Sequence, residues 1–121
     1  MARTKPRPRE LNGRPRQRLV REVRAQGRAN ATPCYLCGLP IDYDADPQLD
    51  PLGMVVDEIT ARALIPQAQR KAHALDPAET APTHRVCNAS KGKRPPTAEV
   101  RARCRELAAA AWSARTRRAE Q

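Results

Sequence analysis

Apolar positions along the chain gather in a few short groups rather than one long run. From Arg16 to Gln26, the residues Leu19, Val20 and Val23 fall on one helical face, which predicts a short basic helix stopped at Gly27. "GMVVDEI", Gly53 to Ile59, is the best strand candidate, because β-branched and flexible apolar residues follow a glycine. From Thr97 onward, Val100, Cys104, Leu107 and Ala111 recur at helical spacing, predicting an amphipathic helix with one apolar stripe. That stripe either caps the small core or pairs with another chain.

The segments between are polar or broken. "MARTKPRPRE" is rich in Pro and Arg without apolar periodicity and reads as a disordered basic arm. Residues 42–52, "DYDADPQLDPL", read as an irregular loop, and Thr60 to His73, interrupted by Pro66, as a loop with a helical turn. "ETAPTHRVCNASKGK" predicts a short extended piece ending at Thr83, then a helix starting at His84 or Arg85. The organisation expected is an arm over residues 1–13, a compact unit over 14–96 that includes the basic helix, and a C-terminal helix over 97–121.

Composition makes the core thin. The chain has 121 residues, and the 40% that are hydrophobic include much alanine, one Trp, two Tyr and no Phe. A domain this small is expected to need a structural metal or a partner chain. No run of about 18 apolar residues occurs, and no apolar signal core follows the Arg-rich start, so a soluble, cytoplasmic protein with no membrane partner is expected. The net charge of +10 is uneven: residues 1–28 and 84–121 are strongly basic, whereas residues 29–83 are acidic. Basic arms match a polyanion, since each Lys or Arg that neutralises a phosphate releases a counterion. The acidic middle would repel that polyanion unless a divalent cation sits there. A merely solubilising surface is the plainer alternative.

Cysteine and histidine carry the clearest chemistry. Cys34 and Cys37 form C-x2-C, and His84 and Cys87 form H-x2-C. Zinc takes four tetrahedral N/S ligands in short-spaced pairs, because a two-residue gap lets both side chains of a turn face one ion. A closed Cys3His set is structural rather than catalytic. Two disulfides in a secreted chain, or a surface His84 with ordinary buried thiols, are the alternatives. Cys104 lies on the apolar stripe and reads as a small core residue.

The order C-x2-C-G-x-P-I-D, then an apolar strand ending in Asp, then "THRVCNASKGKRP" resembles the HNH endonucleases, particularly the small zinc-stapled ones of bacteriophages. The resemblance spans about Pro33 to Pro95. It implies an α+β fold of the ββα-metal type, a hairpin packed on a helix, clamped by zinc at Cys34, Cys37, His84 and Cys87. It also implies a catalytic Mg²⁺ or Mn²⁺ held by Asp57 from the first strand and Asn88 from the helix. The sequence departs from the family in three places. Glu58 stands where the water-activating His is usual, Glu79 falls at the central Asn, and a common Gly-Gly turn is replaced by "QRKAHALDPAE". Glu58 is then either the base or a second carboxylate on the metal, and His73 is the other base candidate if zinc takes His84.

Three functions follow as expectations. The first is a metal-dependent endonuclease acting on double-stranded DNA, with Arg85, Lys91, Lys93, Arg94 and the N-terminal Arg14, Arg16, Arg18 and Arg21 on phosphates. The second is a zinc-stapled DNA-binding or assembly protein that keeps the fold without the chemistry. The third, binding of structured RNA, lacks an aromatic stacking platform and ranks last. A homodimer through the apolar stripe, or a phage packaging partner in a bacterial host cell, fits the same features.

Overall fold

The computed structural model describes residues 8–60 and 62–121, so residues 1–7 of the expected arm lie outside the described residues. The chain runs α1 (Pro8–Asn30), β1 (Met54–Glu58), α2 (Arg70–Ala74), β2 (Thr80–His84), α3 (Arg85–Lys91) and α4 (Ala98–Ala119). It is a mixed fold: helices around one small two-stranded antiparallel sheet. Among the described residues no helix is long and apolar enough to cross a membrane.

Helix α1 is longer than its apolar face predicts. It begins at Pro8 rather than Arg16 and passes through Gly27 to Asn30. The stop is set instead by Ala31, whose φ is 51°, with Thr32 N–H donating to Gly27 O at 3.0 Å. This is a Schellman closure, in which a left-handed residue just past the helix lets the next amide satisfy a carbonyl of the last turn. Gly27 serves packing: a Cβ there would lie 2.4 Å from Cε1 of Tyr43, whose own hydroxyl donates to Thr32 O at 2.6 Å. Leu19 is buried, and Val20 and Val23 pack on the core as their spacing predicts.

The strand expectations hold. β1 and β2 pair in the register Met54↔His84 to Glu58↔Thr80, and α3 follows β2 without a linker. Helices α1 and α3 each pack on both strands, and α3 packs against α4. From Arg62 to Glu79 the connector between the strands carries short 3-10 turns and α2. Arg16 holds it in place, donating to Ala74 O at 3.0 Å and to Val56 O at 3.1 Å. This arginine, expected on phosphate, is therefore committed to backbone carbonyls.

Thr97 caps α4, its Oγ1 accepting from Val100 N–H at 3.2 Å. The buried residues of that helix are Val100, Cys104 and Ala108, while Leu107 and Ala111 are half-buried. Steps of four with small side chains suit close approach to α3. Cys87 and Cys104 each direct a sulfur at the other's carbonyl, at 3.5 and 3.4 Å.

The acidic loop over residues 42–52 is neutralised by side chains of the two long helices. Asp42, Asp46 and Asp50 each accept an amide two residues on, forming side-chain turns. Arg115 of α4 bridges Asp42, at 2.6 Å, and Asp50, while Arg28 of α1 pairs with Asp44 at 2.9 Å. Burial raises the Asp42 pKa, but Arg115 and the amides of Asp44 and Ala45 together outweigh it and the net shift is downward.

Two outcomes are expected. Ala31→Gly relieves a left-handed alanine and should raise the unfolding free energy by about 0.5–1 kcal/mol in denaturant titration. Arg115→Gln should cost about 1 kcal/mol at pH 7. A carboxylate with a depressed folded pKa stabilises above its unfolded value and loses that contribution as pH falls through the folded one. The gap between Arg115→Gln and the wild type should therefore close below about pH 4; a pH-independent gap would assign the effect to packing.

Candidate functional site

The four residues read as two ligand pairs converge. One ligand atom from each of Cys34, Cys37, His84 and Cys87 lies within 4.8 Å of the others, and all four residues are buried. Zinc–sulfur bonds of about 2.3 Å at a tetrahedral angle require spacings of this order. The backbone builds the arrangement. Gly38 at φ 78° turns the chain, with Gly38 N–H donating to Cys34 O at 2.8 Å and Cys34 N–H to Leu39 O at 2.9 Å. Tyr35 N–H donates to Pro82 O at 2.9 Å, docking the turn on β2. His84 ends that strand and Cys87 lies in the first turn of α3, so the strand-helix junction supplies the second pair.

Orientation is fixed outside the cluster. His84 Nδ1 faces the sulfurs of Cys37 and Cys87 at 3.4 and 3.6 Å, while Nε2 lies 2.6 Å from Pro40 O. That contact places the ring proton on Nε2 and leaves Nδ1 as the ligand atom, as metal-binding histidines require. The indole Nε1–H of Trp112 donates to the same carbonyl at 3.1 Å. Amides of His84 and Leu39 point at the Cys34 and Cys37 sulfurs, at 3.4 and 3.5 Å. From α4, Arg101 donates to Tyr35 O and Arg105 to Cys37 O at 2.9 Å.

Protonation matches a site that exchanges protons for a cation. Side-chain hydrogen bonds from Cys37 and Cys87 hold the Cys34 thiol far below the ordinary range. The same sharing, with the negative charge nearby, pushes Cys87 up. Burial opposes charge on His84, but its bonds to Cys34 and Cys37 outweigh that and lift it to about 10. A cation replaces those protons, so its affinity must weaken as the pH is lowered.

A second cluster surrounds the end of β1. Asp57 and Glu58 line a cavity of about 430 Å³, with Thr60, Arg62, Arg70, Lys91 and Lys93 among the other walls. Lys91, expected on phosphate, is buried and paired with Asp57: Nζ donates to Oδ1 at 3.4 Å and lies 3.2 Å from Oδ2. Oδ2 is buried and, among the described residues, has no partner in hydrogen-bond geometry. Asn88 is half-buried on α3, one turn before Lys91, and is not among the residues lining the cavity. His73 does not line it either; its Nε2 pairs with Glu79 at 3.1 Å and its Nδ1 is buried without a partner. Arg14, Arg18, Arg21, Arg85, Lys93 and Arg94 are exposed.

The sequence reading missed the contributions of Pro40, Arg101, Arg105 and Trp112. The i,i+4 spacing of Arg101 and Arg105 beside the apolar stripe was the available signal. Comparison with family profiles, curated proteins and solved structures returned no match.

Purified without chelator, the protein is expected to hold one metal ion per chain, and Cys34→Ala or Cys87→Ala should lose it and unfold, since the binding energy of a structural ion is folding energy. Elemental analysis with circular dichroism checks this; a folded, metal-free wild type would overturn it.

Proposed function

We propose that the chain is a zinc-stapled, metal-dependent DNA endonuclease of the HNH type, with the sheet and α3 forming its ββα-metal unit. Zinc at Cys34, Cys37, His84 and Cys87 is structural. The observation that carries the catalytic reading is the cavity at the end of β1, where two adjacent carboxylates meet Arg62, Arg70, Lys91 and Lys93. Carboxylates with cations around them are what a metal and a phosphodiester need together.

The Asp57 carboxylate fits a catalytic Mg²⁺ or Mn²⁺, because its Oδ2 is a buried oxygen lacking a hydrogen-bond donor. Asn88 is the second ligand that the resemblance implies, but it does not line the cavity and the resemblance alone supports it. Such an ion supplies Lewis-acid stabilisation of charge on the phosphate and on the leaving 3′ oxygen. Glu58 accepts the proton of the attacking water as the P–O3′ bond breaks. A carboxylate is a weaker base than an imidazole, so turnover is expected to be slow. Glu58 is favoured over His73 because it lines the cavity and His73 does not. Arg62, Arg70 and Lys93, with the exposed Arg85 and Arg94, hold the DNA backbone and confer position rather than sequence preference.

The second reading, a DNA-binding or assembly protein without chemistry, is favoured by one observation: Lys91 already neutralises Asp57. A plasmid-nicking assay with Mg²⁺ or Mn²⁺ separates the two. Wild type should nick, and Asp57→Ala, Glu58→Ala and Asn88→Ala should each lose about 10²-fold or more in rate. Cleavage untouched by all three removes the active-site assignment. No cleavage with any metal, alongside salt-sensitive DNA binding, establishes the second reading.

A further inference from the structure

Lys91 and Asp57 form a buried ion pair beside the cavity at the end of β1. Their side chains are only 8% and 11% exposed, and the ammonium reaches both carboxylate oxygens, at 3.4 and 3.2 Å. A buried ion pair of this kind adds little net stability, because desolvating both charges offsets their attraction. Its geometry is also incomplete, with Oδ2 left without a hydrogen-bond donor among the described residues. The lysine comes from the last turn of α3 and the aspartate from β1, so the pair spans the two elements that bound the cavity.

Resting on the nuclease reading, we infer that Lys91 is a resident counter-cation that competes with the divalent ion for Asp57. While the ammonium sits on the carboxylate, a divalent ion entering there meets a like charge a few ångströms away. Loading requires the ammonium to leave Asp57. The cavity gives it somewhere to go: Arg62, Arg70 and Lys93 line the same walls, a setting in which a phosphodiester would take up positive side chains. Nucleic acid and metal therefore favour one another's binding, and the free protein stays metal-poor at this site.

The test uses the full chain with its zinc in place and Mn²⁺ as the probe, followed by paramagnetic resonance of free ion. Lys91→Gln should bind one Mn²⁺ about tenfold or more tightly than wild type, and Asp57→Asn added to it should abolish that binding. Lys91→Arg, which keeps the charge, should show no gain. Asp57-dependent binding of equal strength in wild type and Lys91→Gln overturns the competition but leaves the metal site standing. Binding that Asp57→Asn does not affect, or no binding by either protein, overturns the nuclease reading as well. A readout on unaltered protein guards against a misfolded variant. Lys91 should be protected from amine-specific labelling in metal-free buffer and become labelled several-fold faster at saturating Mg²⁺; an unchanged rate overturns the competition.

Discussion

Three thiols and one imidazole gathered at a single point bring together parts of the chain that lie far apart in sequence. The turn at Cys34 and Cys37 and the junction of β2 with α3 at His84 and Cys87 are far apart in sequence, yet their ligand atoms lie within 4.8 Å. The surrounding core contains few large side chains, and four of its cysteines are among the buried apolar cluster. A two-stranded sheet is not independently stable. The cluster and the helices packed beside it give that sheet its fixed position, and the carboxylates at the end of β1 inherit it.

Around this centre the basic residues divide into two kinds. Arg16, Arg101, Arg105 and Arg115 are spent on carbonyls and carboxylates of the fold. Arg14, Arg18, Arg21, Arg85 and Lys93 are exposed and remain available to an outside anion, whereas Arg94, also exposed, donates to Ser90 O and Lys91 O. The division explains how a chain with an acidic middle and a net charge of +10 is built: the acidic loop is neutralised from within by α1 and α4. The excess positive charge then belongs to the surface, where the proposed DNA contact draws on it.

Local spacing made much of this legible. Two ligand pairs, one strand, the strand-helix junction at His84 and the capped start at Thr97 all depend on residues a few positions apart, and sequence displays such distances directly. What it concealed was long-range. Gly27 reads as a helix stop, but its place is fixed by the ring of Tyr43, and the actual stop is an alanine in the left-handed region. Lys91 reads as a solvent-facing phosphate contact; only the packing of α3 beside β1 turns it onto Asp57. The carbonyl of Pro40, which receives both His84 and Trp112, has no side-chain signature at all.

The central claim is that one zinc ion, bound by three sulfurs and one nitrogen, holds the domain together. X-ray absorption at the zinc edge of the purified full chain measures that directly. The account predicts about three sulfur neighbours near 2.3 Å and one nitrogen near 2.0–2.1 Å. A shell of oxygen and nitrogen alone, or a sulfur count of two or fewer, would contradict it.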